Sequence, residues 1–141
     1  MKRLLLSLLV LGLVLLVASL PSATADDVFT NADVRGPYGF SFDGAIVGVG
    51  PVAAVGFFVA DGNGNLTDGV RTLSVNASVL HQTFTCTYTV HSNGTGSVVC
   101  SIITGGTGTE RFDFVLIDKR REAPFIGTDP GVVVRGVAVK Q

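Results

Sequence analysis

Thr83-Phe84-Thr85-Cys86-Thr87-Tyr88-Thr89-Val90 alternates threonine with an apolar or aromatic residue over its whole length. Successive side chains of a strand point to opposite faces, so this period of two describes a strand with one buried and one wet face. Ser92-Asn93-Gly94-Thr95-Gly96 follows, dense in residues that tolerate positive φ, as a hairpin turn requires. The chain then returns toward Cys100. Cys86 and Cys100 are equidistant in sequence from Asn93, so a hairpin with an odd loop centred there sets them directly opposite. A non-hydrogen-bonded pair brings its Cα atoms to roughly 4.5 Å, close enough to bridge. The expectation is a structural Cys86–Cys100 disulfide.

The same alternation recurs outward from this hairpin. Tyr38, Phe40 and Phe42 alternate with Gly39, Ser41 and Asp43; Leu73 and Val75 with Thr72, Ser74 and Asn76; Phe112, Phe114 and Leu116 with Arg111, Asp113 and Val115. Asp61-Gly62-Asn63-Gly64-Asn65, Gly105-Gly106-Thr107-Gly108 and Asp129-Pro130-Gly131 supply further turns. Reading between the breaks places strands near 37–47, 51–60, 66–78, 81–91, 96–103, 109–118, 123–127 and 131–140. No segment after Leu20 shows a sustained apolar period of 3.6, so the fold class is all-β. Short connections favour an eight-stranded antiparallel up-and-down barrel, whose closure removes exposed sheet edges. A two-sheet β-sandwich is the alternative.

The N-terminus reads differently. Lys2 and Arg3 precede an apolar run from Leu4 to Leu20, and Ala23-Thr24-Ala25 is a small-x-small cleavage signal. This layout predicts a signal-peptide helix over 1–25, a flexible lead-in over 26–35 and one barrel domain over 36–141. A retained membrane anchor is the rival, but no basic cluster follows the run. The expected location is secreted or periplasmic, where a cysteine pair is more often a disulfide than a metal site or a thiol catalyst.

The whole chain has 141 residues, 47% hydrophobic and 15% charged, with 18 Gly, 9 Phe and no Trp, which suits one globular domain. Removing 25 of the 141 residues, with two of the ten cations, leaves 116 residues with a net charge of −3. That balance offers no basic patch for nucleic acid, and none for a membrane surface after signal cleavage.

Motifs for chemistry are sparse. Asp61-x-Asn63-x-Asn65 has the first oxygen spacings of a calcium loop, but Leu66 replaces the required Gly and Thr72 the bidentate Glu; a hairpin turn explains the same letters. His81 and His91 fall near opposite ends of one strand, roughly 33 Å apart if extended, too far to share a metal. No nucleophile elbow, P-loop or S-x-x-K motif occurs, and no metal site or cofactor is expected. Sequons at Asn65, Asn76 and Asn93 are glycan candidates only in a eukaryotic secretory route.

Charges placed among apolar neighbours are the candidate site. Arg71 shares strand parity with Leu73 and Val75, Arg135 with Val133, Val137 and Val139, and Glu110 with Phe112 and Phe114. Inward-facing charges have to pair, since an unpaired buried charge costs several kcal/mol. The plain reading is a barrel-mouth salt bridge or outward-facing arginines; the functional one is a polar anchor in a small-molecule pocket. Tyr38 and Tyr88 share faces with Phe residues and add hydroxyls to such a pocket, or are core aromatics with one satisfied oxygen.

Gly36-Pro-Tyr38-Gly-Phe40-Ser, Ala53-Ala-Val-Gly56-Phe-Phe-Val-Ala-Asp61-Gly-Asn-Gly-Asn65 and Thr85-Cys-Thr-Tyr88-Thr-Val-His-Ser-Asn93-Gly-Thr-Gly96 resemble a group of small secreted bacterial proteins of unknown function. That group is similar to the eight-stranded barrels of the allene oxide cyclase and dirigent type. The resemblance spans roughly residues 36–100 and implies the barrel; it carries over no catalytic residue. Barrels of this shape bind or cyclise hydrophobic small molecules, an implication by fold analogy alone.

Three functions follow as expectations. The first is an exported barrel that binds a small, mostly apolar ligand without turnover, with Arg71, Arg135, Tyr38 and Tyr88 as contacts. The second is an isomerase or cyclase that uses Glu110 or Tyr88 as acid or base. The third is a structural or adhesive homo-oligomer without a ligand.

Overall fold

A computed structural model describes residues 28–141. The expected signal peptide, 1–25, lies outside the described residues, as does the start of the lead-in. After a single 3-10 turn (η1, Asn31–Asp33) come eight strands: β1 Arg35–Ile46, β2 Gly50–Asp61, β3 Asn65–Val75, β4 Ser78–Val90, β5 Thr95–Thr104, β6 Thr109–Val115, β7 Glu122–Gly127 and β8 Val132–Lys140. Each pairs antiparallel with the next, and β8 pairs with β1 to close an up-and-down barrel. The barrel, not the sandwich, is the fold. Among the described residues no helix is long and apolar enough to cross a membrane.

The central hairpin has the anticipated register. Cys86 pairs directly with Cys100, their Cα atoms are 4.0 Å apart and the two are disulfide-bonded. Both cysteines are buried and face the interior. A buried disulfide of this kind is compatible with an extracellular or periplasmic location.

One hairpin falls elsewhere than expected. The third strand stops at Val75 and the fourth starts at Ser78, because Asn76 and Ala77 both take positive φ and turn the chain in two residues. That backbone is a type I′ turn, and Asn is one of the few residues with Cβ that enters it readily. The strand that carries Glu110 is also shorter than expected. It ends at Val115, and Asp118, Lys119 and Arg120 adopt left-handed conformations before β7.

Barrel interiors must be filled by side chains of matched size, and four cross-strand pairs do this by setting a phenylalanine over a glycine. Phe40 faces Gly56, Phe84 faces Gly69, Phe114 faces Gly96 and Phe125 faces Gly136. A Cβ on any of these glycines would collide with the ring it faces. Glycine here makes room for a ring that bends inward across the barrel.

The segment 26–35, expected to be flexible, is docked where it is described. Phe29 N–H donates to Ser92 O, Asn31 Oδ1 accepts from Val90 N–H at 2.8 Å, and Val34 is buried. Arg120 pairs with Asp33 at 2.7 Å and stacks over the Phe29 ring. Residues 29–34 therefore plug one end of the barrel. The opposite end is filled on one side by Phe42, Val52, Leu73 and Val134.

Candidate functional site

Between the plug and that apolar cluster lies a cavity of about 90 Å³. Seven of the nine phenylalanines wall it, together with Tyr38, Tyr88 and the Cys86–Cys100 bridge. The rings pack on one another, Tyr38 stacking on Phe58 at 5.3 Å between centroids and Phe112 meeting Phe125 edge-on at 5.5 Å. Such aromatic contacts hold a wall in fixed geometry.

Arg71 crosses the interior from β3. Its Nη1 and Nη2 donate to the two carboxylate oxygens of Glu110 on β6, each at 2.7 Å, and its Nε donates to Gln82 Oε1 at 2.8 Å. The Gln82 amide in turn donates to Gly105 O, fastening the pair to the β5–β6 loop. The guanidinium carbon sits 5.8 Å from the Phe42 ring centroid and 5.9 Å from that of Phe84. Both rings present their π systems to the cation. The Arg71 side chain is 4% exposed and that of Glu110 34%, so the pair runs from the cavity wall out to the barrel mouth. A bidentate arginine–carboxylate pair keeps both charges satisfied in an apolar setting.

The parity assignment of Arg71 and Glu110 is thus inward, as expected. Arg135 is a correction. On β8 the inward residues are Val134, Gly136 and Ala138, which leaves Arg135 exposed on the outer face beside Asp43. It takes no part in the cavity.

The tyrosines divide in role. Tyr88 O–H donates to the carbonyls of Val34 at 2.7 Å and Asn31 at 3.1 Å, so it ties the plug to the barrel and its proton is already committed. Tyr38 is 1% exposed; its ring lines the cavity, while its hydroxyl is sealed in protein near the Arg35 backbone, Asp33 and Tyr88. Burial raises the pKa of both phenols above the usual 10.0; the neighbouring Tyr88 adds to the effect on Tyr38.

Asp61 serves its turn. Its Oδ1 accepts from the backbone N–H of Asn63 and Asn65, and its Oδ2 from the Asn65 side chain. These hydrogen bonds, the Asn65 side chain first, hold its carboxyl below the usual 3.8. His81 and His91 are exposed, at the two ends of β4. Asn65, Asn76 and Asn93 are all exposed, in or beside turns.

Two parts of the site are absent from the sequence reading. Gln82 was hidden in a run with no neighbouring charge, and its strand parity with Phe84 was the available signal. Asn31, which secures the plug, is distant in sequence from the Tyr88 and Val90 that it meets, and nothing local announces it. Compared with known families, characterised proteins and solved structures, the chain matches none.

Proposed function

We propose that the protein is an exported carrier that holds a small, mostly apolar ligand inside the barrel. The observation that carries this reading is the aromatic cavity. Protein interiors close to near-crystalline density, and the apolar walls of this partly open cavity of about 90 Å³ forgo the packing contacts that a filled core would make. A ligand with an apolar body recovers that loss. The volume fits a guest no larger than a small ring; a bigger one requires the wall to open. Carriage rather than turnover is favoured because the Tyr88 O–H donates its hydrogen bond to the plug and Glu110 is held by Arg71 through both oxygens. An isomerase or cyclase of the kind the barrel resemblance implies would need one of those groups free.

The test is xenon or benzene binding followed by NMR of the oxidised protein. Shifts should centre on Phe40, Phe58 and Phe84, and Ala138→Leu, which puts a larger side chain on a cavity-lining position, should abolish them. Shifts confined to the outer face, or unaffected by Ala138→Leu, would overturn the reading.

A second reading, self-association, is favoured by the outer face of β8, β1 and β2. Val133 and Val55 are 68% and 62% exposed there, beside the small Ala45 and Ser41 of β1 respectively. Asp43 and Arg135, neighbours in register, form no ion pair with each other and offer a second copy one charge of each sign. Sedimentation equilibrium decides it: Val55→Lys should dissociate the oligomer, and a monomer at every concentration would refute it.

A further inference from the structure

The two ends of the barrel differ in charge. In an up-and-down barrel alternate turns share an end, so the turns at 47–49, 76–77, 105–108 and 128–131 lie together, opposite the plug. They hold no Lys or Arg, and their one carboxylate, Asp129, accepts from the backbone N–H and the Nη1 of Arg111. The plugged end carries Asp33, Arg35, Lys140 and the turn Asp118-Lys119-Arg120-Arg121.

Apolar exposure runs the other way. Among the described residues, seven large apolar side chains are more than half exposed, and five of them stand at the uncharged end. Val47 tops the β1–β2 turn, while Val79, Ile103, Ile126 and Val133 point outward near the ends of β4, β5, β7 and β8. In a closed ring of eight strands β4 lies opposite β8 and β5 opposite β1, so these side chains form a belt around the barrel and not a patch on one wall. A protein docked against one wall leaves the far side of such a belt in water, whereas a fluid lipid surface closes around all of it. The turns tolerate that transfer because backbone groups at this end bond to one another: Val47 N–H donates to Gly131 O, Val49 N–H to Ile46 O and Asn76 N–H to Pro51 O.

We infer that the uncharged end of the barrel seats in the interfacial region of a lipid surface. The contact is made by burial of aliphatic side chains, and with no cation in these turns it needs no anionic lipid. Its depth is set by Asp43 and Arg135, exposed neighbours in register two residues past Val133. Two residues of strand rise roughly 7 Å, within the headgroup and acyl boundary that interfacial segments occupy. Those charges, with Arg111 and Asp113 on the outer face of β6, keep the barrel on the surface instead of across it. Such seating does not depend on a guest in the cavity.

The experiment is co-sedimentation of the oxidised protein with vesicles of phosphatidylcholine or of phosphatidylglycerol, at low salt and in 1 M salt. The protein should bind both lipids, phosphatidylcholine at least as well as the other, and 1 M salt should leave that binding in place. Burial of one aliphatic side chain is worth about tenfold in affinity. Val47→Asp and Ile103→Asp, on opposite walls, should therefore each weaken binding about tenfold or more, whereas Val70→Asp, exposed midway along β3, should bind as the parent does. All three positions are exposed, so unfolding midpoints should stay near that of the parent, which separates a lost contact from a damaged fold. Absence of binding to either lipid would overturn the inference, as would binding to phosphatidylglycerol alone that 1 M salt removes. Equal loss in Val70→Asp, or loss in Val47→Asp with none in Ile103→Asp, would overturn the belt. An oligomer formed without lipid and dissociated by Val47→Asp would assign this end to a second copy and overturn the lipid reading.

Discussion

Glu110→Gln isolates the internal ion pair. The substitution keeps the shape of the side chain and one acceptor oxygen but removes the charge opposite Arg71. Breaking a fully buried pair by deleting one partner costs about 3–5 kcal/mol, because the remaining ion is stranded in low dielectric. Arg71 meets that condition with its side chain 4% exposed, between the Phe42 and Phe84 rings. Glu110 does not, since 34% of its side chain reaches solvent and water screens that end of the pair. The retained amide oxygen still accepts one of the two hydrogen bonds. The expected loss is therefore about 2–3 kcal/mol, below the range for a sealed pair.

Arg111–Asp129 is an internal control. It is an ion pair at 3.0 Å with the Arg111 side chain 58% exposed, and Arg111→Gln should cost less than about 0.5 kcal/mol. Urea unfolding at pH 7, followed by circular dichroism, measures both. Repeating the series in 1 M salt sharpens the distinction, because a Debye length of about 3 Å erases a surface pair and leaves a buried one largely intact. If Glu110→Gln costs no more than Arg111→Gln, or if high salt removes its effect, the carboxylate is solvated and the wall does not hold a desolvated pair.

Further perturbations test the rest of the fold. The chain has two tyrosines and no tryptophan, so absorbance near 295 nm reads Tyr38 and Tyr88 alone. Both folded-state pKa values are raised, hence their contribution to stability is complete below about pH 10 and is lost as pH climbs through the folded values. Tyrosinate formation should coincide with alkaline unfolding, and a normal titration in a folded barrel would contradict the burial argument. Replacing Cys86 and Cys100 with alanine releases a loop of sequence separation 14 and should cost on the order of 3 kcal/mol in urea; an unchanged midpoint would refute a structural role. Gly56→Ala drives a methyl into the Val70 carbonyl and the Phe40 ring, and a loss of about 1–3 kcal/mol is expected from overpacking, against none if the pair can slide apart. Hydrogen exchange should be fastest along the β6–β7 ladder, where the regular pairing is Phe112–Gly127, Asp113–Ile126 and Phe114–Phe125, with only the isolated Ile117–Glu122 bridge beyond it; uniform protection around the barrel would argue against a weak seam.

What the sequence disclosed depended on contrast between the two faces of each strand. β4 alternates threonine with large apolar residues, so its register, its partner and the Cys86–Cys100 bridge could all be read in advance. Arg71 was legible for the same reason, lying in step with Leu73. β8 has no such contrast: Val132 and Val134 lie on one face and Val133, Val137 and Val139 on the other with Arg135, so the valines do not show which face is inward. The outward position of Arg135 is decided by closure against β1, where Gly136 pairs with Phe42 and Ala138 with Phe40. The Asn76-Ala77 turn lacks the glycine that usually marks a hairpin, so the break was invisible locally. The glycine–phenylalanine pairs exist only once register is known, since each joins residues on different strands.

The same geometry bears on how a guest could reach the cavity. At the plugged end, hydrogen bonds from Phe29, Val90 and Tyr88 and the Arg120–Asp33 pair all have to break before the interior opens. At the mouth, displacing Glu110 strands a buried guanidinium. The side wall at β6 and β7 asks for less, because its ladder is short and the cavity-lining Phe112, Phe114 and Phe125 are already partly exposed there. Opening free energy scales with the buried contacts and ladder bonds lost, so the seam is the least costly route. A barrel that served only as a packed structural block would gain by lengthening that ladder and filling the void. The short ladder and the aromatic cavity share the Phe112, Phe114 and Phe125 side of the barrel, which is where the proposed carriage of a small apolar guest would exchange it.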